Sequence, residues 1–167
     1  YIFYNVNIIK IVCTKQSFAI KLFQVLNDRG LNLTNSDIIK ANIIEKLNDN
    51  TAIDIFENNW KMIETIANDY DFTMDDFFVF FEYFKLKSNP TKQLSDEING
   101  LIAKENISDF INEMTKFAEK IKEVYTSKNH VVFSLLYLPW KFYIITILTS
   151  ALYVDYPNKN ELLKKRK

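Results

Sequence analysis

Residues 73–84 read TMDDFFVFFEYF, and this stretch decides the fold class. Its first four residues have the pattern of a helix N-terminus, because a threonine hydroxyl is followed three residues later by a carboxylate. Six of the eight residues from Phe77 to Phe84 are aromatic, so apolar side chains surround the predicted helix on nearly all sides. Such a helix must be covered from several directions by other elements. The stretch therefore predicts a central helix inside a helical domain.

The sequence on both sides of this stretch has the same helical character. Long helices are predicted at Gln16–Leu26, Thr34–Leu47, Thr51–Tyr70 and Ser108–Tyr125, and shorter ones at Ser95–Lys104, Val131–Leu138 and Trp140–Val154. In the long helices apolar residues recur at intervals of three and four, and Thr51 is predicted to cap the helix that runs to Tyr70. The chain has only two glycines and three prolines, so few residues interrupt a helix. The sequence thus predicts a mainly α protein, an irregular helical bundle.

The N-terminal segment differs from the rest. Residues 1–12 read YIFYNVNIIKIV, a run rich in β-branched and aromatic residues that predicts one short strand. The best internal break is Ser88–Lys92, which contains Pro90. We therefore predict a first part, residues 1–88, with the strand, the helices around Gly30 and the aromatic helix, and a C-terminal helical subdomain, residues 89–167. One continuous domain is the alternative.

Charge and rare residues exclude several classes of site. Basic and acidic residues number 21 each, so no net field draws the whole domain onto nucleic acid. A single cysteine, Cys13, and a single histidine, His130, cannot form a multi-cysteine zinc site or an HNH nuclease centre. Two glycines are too few for a Gly-rich phosphate loop. We therefore predict no catalytic residue, no metal site and no cofactor in this chain.

The longest apolar stretch does not predict a membrane span. Residues Phe142–Val154 form an uncharged run of 13, whereas a helix that crosses a bilayer needs about 20. We interpret the run as a buried core helix. The single cysteine fits a reducing compartment, so the sequence predicts a cytoplasmic protein without membrane contact.

Residues 23–44, FQVLNDRGLNLTNSDIIKANII, combine the end of one helix, a tight turn and the capped start of the next. Gly30 is predicted to end the first helix in a left-handed conformation. Thr34 is predicted to cap the second, because Asp37 follows it three residues later. Asp28, Arg29 and Lys40 lie close to this turn in sequence.

This segment resembles the "F..LN.RG..L...D..K" signature of a ParB-like family of unknown function at the N-terminus of GmrSD-type modification-dependent restriction enzymes. The matching residues are Phe23, Leu26, Asn27, Arg29, Gly30, Leu33, Thr34, Asp37 and Lys40. The resemblance covers roughly residues 1–48. It implies that the signature contacts a ligand or a partner domain through Asn27, Asp28, Arg29, Gly30, Thr34, Asp37 and Lys40. A purely structural role for the turn and the cap is the competing interpretation.

The resemblance also implies what surrounds this chain. In that family a nucleotide-binding region with an Asp-Gly-Gln-Gln-Arg motif precedes the signature, and an HNH nuclease region often follows the helices. The 167 residues contain neither motif, so we expect a helical part of a longer bacterial defence protein that uses a nucleoside triphosphate, a divalent metal and DNA elsewhere. Its partners would be that N-terminal region and that nuclease region. The alternative function is a stand-alone helical protein-interaction module.

The aromatic helix and the strand also predict self-association. Five phenylalanines between Phe77 and Phe84 are difficult to bury against one side of a domain. An uncovered apolar patch above a few hundred Å² tends to be buried by association. We therefore expect contacts between copies through these aromatics or through the edge of residues 1–12.

Overall fold

A computed structural model describes residues 10, 12, 33–128, 130–136 and 141–153 of the chain. Its contacts divide the chain into two compact units, residues 1–33 and residues 34–167. Seven helices form the described part of the second unit: α1 (Asn35–Lys46), α2 (Asn50–Asp69), α3 (Met74–Leu86), α4 (Leu94–Lys104), α5 (Ile107–Tyr125), α6 (His130–Leu136) and α7 (Lys141–Tyr153). The mainly α prediction is confirmed.

The predictions for the N-terminal segment fall mostly on residues that the structure does not describe. Apart from Lys10 and Val12, the predicted strand at 1–12 lies outside the described residues, as do the predicted helix at 16–26 and the predicted stop at Gly30. Within the ranges that the structure describes there is no strand. The predicted strand therefore stays a prediction.

Two helix starts follow the capping rule that the sequence predicted. Thr34 caps α1 and Thr73 caps α3, and in each case the aspartate three residues later completes a capping box. The predicted cap at Thr51 is wrong, because Asp49 caps α2 and accepts a hydrogen bond from the Ala52 amide at 3.3 Å. A carboxylate caps well and also interacts favourably with the helix dipole. The first turn of α2 therefore begins before Thr51.

α3 occupies the centre of the helical unit, and the core forms around its aromatic side chains. Phe77, Phe78, Phe80 and Phe81 have no exposed surface, and Phe84 is half-buried against the same core. At these four fully buried side chains the expected lack of cover is not found. The reason is that α3 contacts α1, α2, α4, α5 and α7, so it has neighbours on all sides. Phe77, Phe78, Phe80 and Phe81 therefore offer no surface for self-association, whereas Phe84 is only half-buried, and association between copies stays a prediction.

The loop that contains Pro90 separates α3 from α4. α3 ends at Lys87, which adopts a left-handed conformation with φ of 54°. The helices before and after this loop contribute to one hydrophobic cluster, which includes Ile39 and Ile63 on one side and Phe110 and Ile145 on the other. The predicted division between residues 88 and 89 falls in this loop, while residues 34–153 share the core that the alternative of one continuous domain requires.

α7 is the apolar helix that the sequence analysis assigned to the core. Ile145 and Thr149 are buried, whereas Ile147 on the opposite face is 66% exposed. Tyr153 packs at the end of this helix against Phe84, with ring centroids 4.6 Å apart. Among the described helices, none has both the length and the apolar composition to cross a membrane.

Candidate functional site at the start of α1

The candidate site is the first turn of α1, where the described part of the family signature begins. The Thr34 hydroxyl accepts a hydrogen bond from the Asp37 amide at 3.2 Å, and the Asp37 carboxylate accepts one from the Thr34 amide at 3.0 Å. Two of the helix's first amides are thereby satisfied within the turn. Both signature residues thus have a structural role at the point where the second compact unit starts.

Asp75 of α3 holds this turn from outside. Its Oδ1 atom accepts a hydrogen bond from the Ser36 amide at 2.8 Å, and its Oδ2 atom accepts bonds from the Asn35 amide at 3.2 Å and the Asn35 side-chain amide at 3.0 Å. We call this arrangement the Asp75 clamp. A carboxylate at a helix N-terminus is favoured by the unpaired amides and by the helix dipole. The clamp therefore fixes the start of α1 to the central helix.

The clamp changes the acidity of Asp75. Burial by itself raises the pKa of this carboxyl group, but the hydrogen bonds from Asn35 and Ser36 outweigh burial, and the pKa lies below its ordinary value of 3.8. Hydrogen bonds to the charged form favour that form. Asp75 is consequently a carboxylate at neutral pH, with its charge directed at the α1 amides.

Lys40 lies one turn further along α1 and contacts α2. Its Nζ atom is 5.2 Å from the ring centroid of Trp60, and the Trp60 ring nitrogen donates a 2.7 Å hydrogen bond to Glu64. An ammonium group above an indole ring is attracted by the ring's electrons. The described contact of Lys40 is thus with a helix of the same unit.

The other predicted site residues, Asn27, Asp28, Arg29 and Gly30, lie outside the described residues. The structure brings Thr34 and Asp37 together and places Lys40 against α2. A contact with a ligand or a partner domain stays a prediction for all seven signature residues, including Thr34, Asp37 and Lys40, because their described contacts do not test it.

Sequence analysis missed Asp75 as part of this site. Both Asp75 and Asp76 lie in the first turn of α3, where acidic residues ordinarily stabilise their own helix. Asp76 does so, because it completes the Thr73 capping box, whereas Asp75 binds α1, which lies 40 residues earlier. The capping-box spacing identifies Asp76 from the sequence, but no local pattern indicates that Asp75 binds α1, and only the packing of α1 against α3 reveals that contact.

The hydrogen bonds at this site hold the start of α1 against α3. The first α1 amides already bind a carboxylate of the same chain, so they do not form an open anion site. Throughout the described ranges, no group of three or more His, Cys, Asp or Glu residues could hold a metal ion. The described part of the signature thus contains hydrogen-bonded structure and no group placed for proton transfer.

A surface pocket of about 580 Å³ lies beside the turn between α2 and α3, with Glu64, Asp71 and Asp76 among its lining residues. Glu64 accepts the Trp60 hydrogen bond and Asp76 belongs to a capping box. Burial, followed by the charges of Asp71 and Asp76, raises the pKa of the nearby Tyr125 to about 12. That phenol therefore keeps its proton at neutral pH.

Comparison of the chain with models of protein families, with curated proteins and with solved structures found no match. The functional interpretation therefore depends on the residues of the chain and on the signature that residues 23–44 resemble.

The capping box provides a first prediction. Thr34→Ala removes the hydroxyl that accepts from the Asp37 amide, and we expect a loss of about 1 kcal/mol in the free energy of unfolding. Thr65→Ala is the matched control, because the exposed Thr65 hydroxyl bonds only to the Lys61 carbonyl inside α2. Urea unfolding followed by circular dichroism measures both variants. Equal stability of Thr34→Ala and the wild type would show that the box does not hold α1.

Proposed function

We propose that this chain is the helical coupling part of a GmrSD-type bacterial defence protein, located in the cytoplasm. In this proposal the helical unit fixes the start of α1, the helix that follows the signature turn in sequence, and other parts of the protein supply a nucleotide-binding region and a nuclease. The Asp75 clamp is the observation that carries the proposal, because it ties the helix that follows the signature turn to the central helix of the core.

The contacts of the described signature residues support a structural role for one part of the signature and a binding role for the other part. Thr34 and Asp37 use their polar groups for the start of α1, and Lys40 lies against Trp60. We assign the contact with a ligand or a partner domain to Asn27, Asp28 and Arg29. Arginine suits such a contact, because its planar guanidinium group binds phosphate or carboxylate through two parallel hydrogen bonds.

Coupling needs a connection that transmits a change of position. The clamp joins α1 to α3, and α3 packs against five other helices of the unit. Packed helices move as bodies and not as independent turns, so a displacement at the start of α1 would be passed to the core through Asp75. The resemblance indicates that the coupled regions are a nucleotide-binding region and a nuclease. The Asp75 clamp connects α1 to α3 in this proposal.

The complete reading frame provides the first test of this function. We expect an Asp-Gly-Gln-Gln-Arg segment before the signature and an HNH histidine motif after the helices. A complete gene that lacks both motifs would contradict the proposal.

A second function, a stand-alone helical protein-interaction module, is favoured by one observation. A groove of about 580 Å³ runs between the end of α3 and α7, and the 66% exposed Ile147 lies beside Tyr83 and Phe84 in its lining. Ile147→Ser separates the two functions. An interaction module would lose its partner with this variant, whereas a coupling part would keep its activity in the full-length protein.

The proposed function predicts that the isolated chain is inert. We expect the purified 167-residue protein neither to hydrolyse nucleoside triphosphates nor to cut DNA, modified or unmodified, in the presence of Mg²⁺ or Mn²⁺. Phosphate release and gel electrophoresis measure the two activities. The contrary result is metal-dependent cleavage that co-purifies with the chain and disappears in Asp71→Asn, a variant of the acidic pocket.

A further inference from the structure

Glu82 lies on α3 among the buried phenylalanines, and only 3% of its surface is exposed. Within the part of the chain that the structure describes, its Oε1 atom has no hydrogen-bond partner. An ionised carboxylate is strongly disfavoured at such a position, because burial removes its hydration and nothing replaces it. Packing alone does not account for a carboxyl group here, since an apolar side chain of the same size would fit more favourably.

A second carboxyl group acts on Glu82 from the neighbouring helix. Glu97 belongs to the first turn of α4, which packs against α3, and its Oε2 atom is likewise buried without a hydrogen-bond partner among the described residues. Burial, followed by the charge of Glu97, raises the pKa of Glu82 to about 7. Burial and the charge of Glu97 therefore both favour the protonated form of Glu82 at the contact between α3 and α4.

The neighbouring cations have other partners. Lys85, one turn after Glu82, binds Glu105 at 2.8 Å and also Glu113. Lys46 of α1 donates a 2.9 Å hydrogen bond to the Ile102 carbonyl of α4, and Lys40 lies over Trp60. Other titratable groups on the helices around α3 include Asp37 and Glu45 on α1, Glu64 on α2, Asp96 on α4, Glu113, Lys116 and Tyr125 on α5, and Tyr153 on α7. The electrostatic influence on Glu82 comes from Glu97.

We propose that the contact between α3 and α4 is a proton-dependent switch: the protonated Glu82 side chain keeps the two helices packed, and loss of its proton places a second negative charge beside Glu97 and loosens α4. α4 suits this role because it is short, with 11 residues, and lies between two loops. This inference is independent of the GmrSD resemblance, because it depends only on residues of α3 and α4.

The direction of the pH effect follows from proton binding. In the unfolded chain Glu82 titrates near 4.5, and in the folded chain its pKa is about 7. The folded state therefore binds the proton more tightly, and the stabilisation that comes with this proton is complete below pH 4.5 and is lost as pH rises to about 7. Each pKa step of one corresponds to a tenfold change in an equilibrium constant, so a shift from 4.5 to about 7 corresponds to a rise in the unfolding constant of roughly two to three orders of magnitude over this interval.

Carboxyl NMR of the 167-residue chain tests the switch directly. We expect the Glu82 side-chain ¹³C signal, assigned by its absence in Glu82→Gln, to titrate near pH 7, and the α4 amide signals to shift with the same midpoint. In Glu82→Gln the α4 amides should not respond in this range, because glutamine is uncharged at every pH. Glu57→Gln, a change at an exposed glutamate of α2, is the control and should titrate as the wild type does.

Glu97→Gln provides a second variant if Glu82→Gln folds poorly. It removes the neighbouring charge but leaves Glu82 buried, so we expect the Glu82 midpoint to fall while remaining above 4.5. A Glu82 midpoint near 4.5 in the wild type would overturn the proposal. A midpoint near 7 without any accompanying change in the α4 amides would overturn it as well, because the proton would then control no movement.

Discussion

Replacement of Phe81 by alanine is expected to destabilise the helical unit by about 4 kcal/mol, the largest loss that we predict for a single substitution. Phe81 has no exposed surface and touches two aromatic rings of α5: its centroid lies 5.5 Å from that of Phe110 and 5.4 Å from that of Phe117. Truncation removes these edge-to-face contacts and leaves a cavity that the surrounding helices cannot fill completely. Chemical unfolding followed by circular dichroism measures the loss.

Phe81→Leu is the matched control for this prediction. Leucine keeps much of the apolar volume and loses the ring contacts, so we expect a smaller loss of roughly 1–2 kcal/mol. A Phe81→Ala protein that unfolds at the wild-type urea concentration would show that α3 is not the centre of the core.

Replacement of Asp75 by alanine is expected to cost about 2–3 kcal/mol in the free energy of unfolding. The change removes three hydrogen bonds to a carboxylate and leaves the amides of Asn35 and Ser36 without their partner. Asp96→Ala is the control, because Asp96 is an exposed aspartate in the first turn of α4. Thermal unfolding of the two variants should differ by several degrees. Equal losses for both would mean that the Asp75 clamp adds nothing to an ordinary helix-dipole effect.

The clamp also predicts a dependence on pH that is opposite in sign to that of Glu82. Asp75 has a pKa below 3.8 when folded and about 3.8 when unfolded, so its stabilisation is present above pH 3.8 and is lost as pH falls through the folded pKa. Asp75→Asn should therefore lose less stability than the wild type when the pH is lowered from about 5 to about 2. A parallel loss in both proteins would contradict the clamp's contribution.

Local features of this fold could be predicted from the sequence, and contacts between helices could not. The capping boxes at Thr34 and Thr73 were predicted because all of their atoms lie within four consecutive residues. The cap of α2 was misplaced because two candidate caps, Asp49 and Thr51, stand close together and the carboxylate is used.

The aromatic helix shows why contacts between helices could not be predicted from the sequence. Its sequence reveals an apolar surface on nearly all sides but not how many helices cover it, so the complete burial of Phe77, Phe78, Phe80 and Phe81 could not be predicted. The same lack of information hides Glu82, which reads as a polar interruption of the aromatic run and proves to be buried. The Asp75 clamp joins residues about 40 positions apart, and no sequence pattern links them.

The proposed function predicts that a longer protein containing this chain cuts modified DNA, and this cleavage tests the coupling role most directly, with Asp75→Asn and Asp96→Asn compared at equal concentration. In Asp75→Asn the new amide keeps the shape of the side chain but not its charge, so we expect nucleotide binding and the circular dichroism spectrum to be retained while nucleotide-dependent cleavage falls about tenfold or more, the equivalent of roughly 1.4 kcal/mol. Asp96→Asn should cleave as the wild type does. If folded Asp75→Asn protein binds nucleotide and cuts modified DNA at the wild-type rate, the helical unit does not couple the two activities through α1, and the account is wrong.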